Sequence, residues 1–212
     1  VRYLNIKGTL EELLNNGEKV ICLDNFSTGT INNLKDWLNH PNLKIIDHDI
    51  INPIDIKAHK VWHFACPASP KIYQKDPIKT AKINFIGTLN LLEIARNSNA
   101  KFLLASSSEI YGDSRETSQN ESNNGILKTN SIRSCYQEGK RIAETLCFDY
   151  SRFYCLDIKV ARIFNTYGPN MAKDDGRVIS NFINQGLNNR DISIYGNGNQ
   201  SRCFCYVDDL IK

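Results

Sequence analysis

Lys101-Phe102-Leu103-Leu104-Ala105-Ser106-Ser107-Ser108-Glu109 is the stretch that decides the fold. Its apolar run, residues 101–105, predicts a buried strand of the kind found in parallel sheets. The three serines follow at the carboxyl end of that strand, where open parallel sheets bind their ligands. The stretch therefore predicts a parallel sheet with a polar site at its edge.

A helix is predicted over residues 134–148, and it carries Tyr136 and Lys140 four positions apart on one face. A free tyrosine has a pKa of about 10, and a nearby ammonium favours the phenolate and lowers that pKa. With a strand-end serine opposite, the pair suits proton abstraction from an alcohol while hydride leaves its carbon. A Tyr and a Lys at this spacing also occur in many helices as a surface pair, and the upstream serines favour the chemical interpretation.

Helical and strand patterns alternate outward from this stretch, which predicts an α/β, doubly wound parallel sheet of the Rossmann-like type. The other predicted helices and strands are helices over 9–16, 77–97 and 181–189, and strands over 19–23, 43–46, 60–64, 158–164 and 192–196.

Composition narrows the class of protein. The chain has 212 residues, a net charge of +3 and scattered basic residues, which gives no case for nucleic-acid binding. We find no apolar run long enough for a membrane span and no signal-peptide pattern. The seven cysteines are odd in number and show no metal-like spacing, so we expect reduced thiols, a cytoplasmic protein and no metal site.

Several further motifs connect the chain to a known family. The quoted segments are His63-Phe64-Ala65-Cys66-Pro67-Ala68-Ser69-Pro70, Asp76-Pro77-Ile78-Lys79-Thr80, Arg133-Ser134-Cys135-Tyr136 with Glu138-Gly139-Lys140, and Ala161-Arg162-Ile163-Phe164-Asn165-Thr166-Tyr167-Gly168-Pro169. In these the chain resembles the extended short-chain dehydrogenases/reductases that act on nucleotide sugars, and among them the UDP-glucuronate decarboxylases. The resemblance extends from about Gly17 onward, and the Ala65–Pro70 loop is its most diagnostic part.

The resemblance implies NAD as cofactor. Asp24 ends the second strand of that fold, where an acidic side chain accepts hydrogen bonds from the ribose hydroxyls and repels a 2′-phosphate. Taken alone, a strand-end Asp is more often the start of a turn. The other residues that match cofactor contacts are Gly8, Asn25, Thr28, Gly29, Asp49, Ala65, Pro67, Tyr136 and Lys140.

The amino-terminal residues depart from the family pattern of a strand followed by a loop of three glycines. Gly8 stands at the place of the third glycine and Asn5 at the place of the second, where a side chain would hinder the pyrophosphate. Truncation and divergence both remain open as interpretations. We expect an NAD-binding domain over 1–168, incomplete at its first strand, and part of a sugar-nucleotide domain over 169–212.

The resemblance also implies a substrate, UDP-glucuronate. The matching substrate-binding residues are Ser108, Asn165, Arg177, Tyr195 and Arg202. Arg202 suits the diphosphate because a guanidinium fork fits phosphate oxygens, and a plain surface arginine is the alternative.

Related enzymes differ in the step that comes after oxidation at C4 of the sugar. Dehydratases carry an Asp-Glu pair after the strand-end hydroxyl, whereas this chain has Ser108-Glu109. The resemblance therefore implies decarboxylation, with Tyr136 as base, Lys140 as its partner, Ser107 on the same oxygen and Glu109 near C5. For Glu109 a structural carboxylate that holds the neighbouring loop is the alternative.

Two other functions stay open from the sequence. The chain could be a different nucleotide-sugar epimerase or dehydratase, or an impaired fragment that binds only nucleotide sugar or a partner protomer. The family is commonly dimeric through the helices that begin at Pro77 and Ser134, so we expect a homodimer.

Overall fold

The computed structural model describes residues 4–113, 118–169, 171–172 and 175–212. It divides into two compact units. The first unit contains the residues up to His48 together with Phe164–Lys212, and the second unit is Asp49–Ile163. The predicted boundary between residues 168 and 169 stays a prediction. Among the described residues we find no helix with the length and apolarity needed to cross a membrane.

The second unit is built on three parallel strands. These are β3 (Lys60–His63), β4 (Lys101–Ser107) and β5 (Ile158–Ile163), with β4 in the centre. Its helices are α2 (Pro70–Tyr73), α3 (Pro77–Lys82), α4 (Thr88–Ser98) and α5 (Ser134–Tyr154). A π-helical segment, Ile83–Gly87, joins α3 to α4, and a 3-10 turn, Ser108–Tyr111, follows β4.

Local chemistry explains where these helices begin and end. Asp76 caps α3, since its side chain accepts a hydrogen bond of 2.8 Å from the Lys79 amide, and Pro77 occupies the first turn. Asn99 and Cys155 take left-handed conformations directly after α4 and α5. The helix predicted over 77–97 is therefore present, with a π turn in its middle.

The core of the second unit lies on β4. Phe102 and Leu104 are 1% and 0% exposed, and both α4 and α5 contact this strand. Leu92 of α4 and Ala143 of α5 are each 0% exposed. The central strand is covered in the way that its continuous apolar sequence predicted.

The first unit contains two small parallel sheets. β1 (Val20–Asp24) pairs with β2 (Leu43–Asp47), and β6 (Thr166–Tyr167) pairs with β7 (Cys205–Tyr206). Its other elements are α1 (Leu4–Asn15), a 3-10 helix (Ile31–Trp37), α6 (Val178–Leu187) and α7 (Val207–Ile211). Its core cluster of buried residues is Leu10, Leu14, Cys22 and Leu34.

Most predicted elements are present, and the α/β class with parallel strands is confirmed. The strand predicted over 192–196 is wrong, because these residues pair with no strand among those the structure describes. Ile194 is 65% exposed, and Ser193 is instead bonded to the Gln185 side chain. An alternating pattern needs a neighbouring strand to form a sheet, and the described part of the chain places none beside it. We find no disulfide among the described residues.

Candidate active site

Ser107 is the last residue of β4 and is 7% exposed. Its hydroxyl accepts a hydrogen bond of 3.2 Å from the Glu109 amide and so caps the 3-10 turn after the strand. A strand end and a capped turn hold this side chain on both sides. The serine lies at the carboxyl end of the central strand, as predicted.

Tyr136 and Lys140 lie on α5, one turn apart, and are 5% and 3% exposed. The Lys140 ammonium donates a hydrogen bond of 2.8 Å to the Ala105 carbonyl of β4, and its Nζ lies 5.9 Å from the centre of the Tyr136 ring. A buried ammonium this close favours a negative charge on the tyrosine. The surface-pair alternative is therefore wrong, since both side chains are buried.

Tyr73 packs against one face of the Tyr136 ring. The two rings are stacked, with centroids 4.9 Å apart and planes 6° apart, and Tyr73 is 0% exposed. The Tyr73 hydroxyl accepts a hydrogen bond of 3.1 Å from Arg133. The Tyr136 ring is thus confined on one face by a residue that is itself held in place.

Glu109 is bound by two residues close to Tyr136 in the sequence. Its carboxylate forms an ion pair with Arg133, and its other oxygen accepts a hydrogen bond of 3.1 Å from Gln137. Although burial opposes it, the charge of Glu109 together with Tyr73 raises the pKa of Arg133. These contacts support the alternative role of Glu109, a carboxylate that holds its surroundings together.

His63, at the end of β3, is buried close to this centre. Its Nε2 lies 3.0 Å from the Thr88 hydroxyl, which itself donates to the Asn84 carbonyl at 2.5 Å. Because Thr88 donates elsewhere, His63 is the donor of the first bond. Burial, with a smaller effect of the Lys140 charge, lowers the pKa of His63 to about 3. His63 is therefore neutral at physiological pH.

Besides Tyr136 and Lys140, the second unit contains three further predicted cofactor residues. Asp49 forms a salt bridge of 3.0 Å with Lys79 and accepts a hydrogen bond from the Ile51 amide. Ala65 and Pro67 are half-buried in the loop after β3. Between them the Cys66 thiol is buried, and this burial raises its pKa.

In the first unit the predicted adenosine residues lie at the end of β1 and in the residues that follow it. Asp24 accepts a hydrogen bond of 2.7 Å from the Phe26 amide, and Asn25 accepts one of 3.1 Å from the Ser27 amide. Asp24, Asn25, Thr28 and Gly29 are all half-buried. A groove of about 590 Å³ lies here, lined by Phe26, Gly29, Thr30, Ile31, Ile45 and Asp47.

Gly8 lies inside α1 rather than in a loop. A Cβ at this position would come within 2.1 Å of the Ile211 side chain of α7, so glycine permits the close approach of the two helices. The side chain of Asn5 lies outside the described residues.

The predicted substrate residues of the first unit are more exposed. Tyr195 is 73% exposed, and Arg202 is exposed with a hydrogen bond of 2.7 Å to the Ser201 carbonyl. Asn165 donates to the Cys203 carbonyl at 3.2 Å, and Arg177 is paired with the buried Asp175. Ser108, the fifth predicted residue, begins the 3-10 turn of the second unit.

Sequence reasoning missed Tyr73, and it gave Arg133 and Gln137 no role. Arg133 belongs to the segment that was quoted for its resemblance, and Gln137 directly follows Tyr136, so their position was a usable signal. For Tyr73 no signal was present, because the stack depends on how α2 packs. No group of His, Cys, Asp and Glu side chains in the part of the chain that the structure describes could hold a metal ion.

Comparisons with known proteins identify one family for this chain. The family model described as "NAD dependent epimerase/dehydratase family" matches residues 7–212. The UDP-glucuronic acid decarboxylase 6 of Arabidopsis thaliana is 48% identical over 93% of this chain. The chain spans 58% of the length of that relative.

Solved structures agree on the fold. A UDP-N-acetylglucosamine 4-epimerase from Methanobrevibacter ruminantium M1 has a TM-score of 0.87 at 31% identity, over 97% of this chain and 66% of that one. The UDP-glucuronic acid 4-epimerase from Bacillus cereus, solved with UDP-glucuronic acid and NAD, has a TM-score of 0.80 at 28% identity, over 97% of this chain and 67% of that one. The Rossmann-like prediction is confirmed.

Proposed function

Because the chain belongs to the NAD dependent epimerase/dehydratase family, we propose that it decarboxylates UDP-glucuronate to UDP-xylose with NAD recycled. The observation that carries the proposal is the buried group of Tyr136, Lys140 and Ser107 at the end of β4. The choice of decarboxylation over epimerisation is supported by the similarity to a decarboxylase. The choice over dehydration is supported by Ser108-Glu109 in place of the Asp-Glu pair of dehydratases.

The residues after β1 fit an adenosine. An acidic side chain at a strand end suits ribose hydroxyls and disfavours a 2′-phosphate, so we infer NAD rather than NADP. The groove beside Phe26 and Gly29 offers apolar contact for a flat base. When bound, NAD⁺ supplies an acceptor for the C4 hydride and later returns that hydride.

Side chains of this protein carry out the proton transfers. Tyr136 takes the proton of the C4 hydroxyl, and Lys140 stabilises the phenolate that does so. Ser107 donates a hydrogen bond to the same sugar oxygen. The product of this step is a 4-keto sugar whose carboxylate is β to the ketone.

Decarboxylation then breaks the bond between C5 and the carboxylate carbon. Carbon dioxide leaves, and the electron pair moves into an enolate whose negative oxygen is O4. Tyr136, now protonated, and Ser107 both donate to that oxygen and stabilise it. A proton from water is added at C5, and Tyr136 returns its proton to O4 as the ketone is reduced.

Arg133 is a further candidate for substrate contact. A guanidinium beside Tyr136 could exchange Glu109 for the sugar carboxylate, because the two anions need the same fork of donors. The predicted anchors Asn165, Arg177, Tyr195 and Arg202 would bind the uridine diphosphate part, with Ser108 near the sugar.

The test is product analysis on the 212-residue chain with UDP-glucuronate and NAD⁺. Carbon dioxide and a UDP-pentose in equal amounts would support the proposal. A UDP-hexuronate isomer without carbon dioxide would instead indicate a 4-epimerase. Nucleotide-sugar binding without any product would indicate an impaired fragment.

We also propose a homodimer and a cytoplasmic location. The dimer is supported by exposed apolar side chains on the helices concerned, since Ile78 is 70%, Phe85 45% and Phe148 46% exposed. Light scattering after size exclusion measures the mass directly. Phe85→Glu should yield a monomer if this face is the interface, and Phe153→Glu, on α5 near its end, is the matched control.

A further inference from the structure

One face of α5 carries a third buried polar residue that the mechanism leaves unused. Tyr136, Lys140 and Glu144 follow one another at intervals of four residues, and Glu144 is 5% exposed. Residues at this spacing share one side of a helix. A carboxylate buried in this way is costly unless its surroundings compensate for the lost water.

Two consecutive residues of β4 are bonded to this face. The Lys140 ammonium donates to the Ala105 carbonyl at 2.8 Å, and the Ser106 hydroxyl donates to the Glu144 carboxylate at 2.5 Å. The next residue of β4 is Ser107. Hydrogen bonds are directional and short in range. Two of them, from consecutive residues of β4, therefore fix the position of α5 along the strand.

Arg162 completes the set from the neighbouring strand. It is the β-ladder partner of Ser106, and its Nε and Nη2 reach both oxygens of Glu144 at 2.9–3.3 Å. Its Nη1 donates to the Tyr111 hydroxyl and to the Glu121 carbonyl, at 3.0 and 3.1 Å. The bond to Glu144 raises the pKa of Arg162, so the guanidinium stays charged.

Stability alone is a weak reason for such a pair. Replacing a buried ion pair by apolar residues of similar volume is often neutral or stabilising, whereas a well-bonded pair specifies one arrangement. The arrangement specified here is the position of α5 relative to β4, and these two elements carry Tyr136 and Ser107.

We propose that Glu144, held by Arg162 and Ser106, is a positioning residue that sets the place of Tyr136 relative to Ser107. The inference rests on the proposed function only where it concerns rate, since the geometric part holds for any chemistry at this site. The length of the Glu144 side chain, more than its charge, is what the position of α5 depends on.

Two substitutions separate length from charge. Glu144→Asp keeps the charge and shortens the reach by one carbon, about 1.5 Å. Glu144→Gln keeps the reach, and its amide can still accept from Arg162 while donating to Ser106. A misplacement of about 1 Å costs roughly 100-fold in rate, so Glu144→Asp should lower kcat about 100-fold with KM little changed. Glu144→Gln should stay within about fivefold of the parent, and Ser106→Ala should lose about tenfold.

The matched control is Glu93→Asp. Glu93, on α4, also accepts a hydrogen bond from an α5 side chain, Tyr150, and this bond joins α5 to α4 rather than to β4. Its shortening should leave kcat unchanged. If Glu144→Asp lowers the melting temperature yet keeps the parent kcat, the positioning role is overturned and Glu144 is merely structural.

Crystal structures of the parent and of Glu144→Asp give a readout that needs no activity. The ring of Tyr136 should be displaced relative to Ser107 by more than the coordinate error. An inactive parent would overturn the proposed function, and the two structures would still decide this inference. An unmoved Tyr136 ring would overturn it.

Discussion

The Tyr136 region of the second unit and the Arg202 region of the first unit differ in how firmly their polar side chains are held. Tyr136 and Lys140 are at most 5% exposed and lie on a long helix against a central strand. Tyr195, by contrast, is 73% exposed, in a segment without helix or strand. The proposed proton-transfer groups are held in place by rigid elements, whereas we expect the predicted diphosphate anchors to become ordered only when a ligand binds.

This difference follows from what each group must do. A base has to meet a reacting proton within a few tenths of an ångström, so it belongs on rigid elements. An anchor for a long, charged ligand gains from a mobile side chain that can close over it. Substitutions in both regions test this contrast. The largest effect on activity is expected from removal of the Tyr136 hydroxyl.

Tyr136→Phe should abolish turnover, by at least about 1,000-fold, because it removes the proton acceptor and keeps the ring stacked on Tyr73. The measurement is carbon dioxide release, with circular dichroism to confirm the fold. Tyr150→Phe, on the same helix, is the control and should remain active. Comparable losses of activity in the two variants would mean that the reaction does not take place at the Tyr136 hydroxyl.

Arg202→Ala should raise the KM for UDP-glucuronate about 10- to 100-fold and change kcat little, as expected for a charge-assisted contact made equally in the ground and transition states. Arg152→Ala, an exposed arginine of α5, is the matched control. Steady-state kinetics give both constants. A fall in kcat without a change in KM would place Arg202 among the reacting groups and remove the contrast between the two regions.

Gly139→Ala and Gly186→Ala should change stability in opposite directions. A Cβ at Gly139 would lie 2.8 Å from the Asn84 amide nitrogen and 3.0 Å from its Cβ, so we expect a loss of about 1–3 kcal/mol. Gly186, within α6, has nothing within 4 Å, so alanine should gain about 0.5–1 kcal/mol from helix propensity alone. Urea unfolding measures both. Equal effects would show that the two units are packed alike.

His63 predicts an acid-sensitive second unit. Its pKa falls from 6.5 to about 3 on folding, so the unfolded chain binds the extra proton. The contribution of His63 to the free energy of unfolding is complete above pH 6.5. It is lost as the pH falls towards 3, at up to about 1.4 kcal/mol per pH unit. Urea unfolding of the parent and of His63→Asn over this range should show a shallower pH slope for the variant. Identical slopes would mean that His63 is solvated in the native state.

Sequence alone was sufficient for the parts of the molecule that depend on local pattern. The apolar run that starts at Lys101 and the four-residue spacing of Tyr136 and Lys140 predicted a strand and a helix face, and both are present. Near-continuous apolar strands and helical periodicity are the strongest signals in a chain, because burial selects them directly.

The features that the sequence did not predict depend on packing between residues that are distant in the chain. The stack of Tyr73 on Tyr136 joins positions 63 residues apart, and no pattern near either one indicates it. The ion pair between Glu109 and Arg133 likewise needs the turn after β4 to meet the start of α5. The strand expected over 192–196 failed for the converse reason, since a local pattern was present and a partner strand was not found among the described residues.

The π segment Ile83–Gly87 has a consequence for anyone who aligns this chain with distant relatives. A π turn holds one residue more than the α-helical turn that it replaces. A relative with an uninterrupted helix here would superpose on both halves and still require a single gap in the middle. Such a gap belongs inside the helix, beside Asn84, and moving it into a loop would shift α4 by one position and pair every one of its residues with the wrong counterpart.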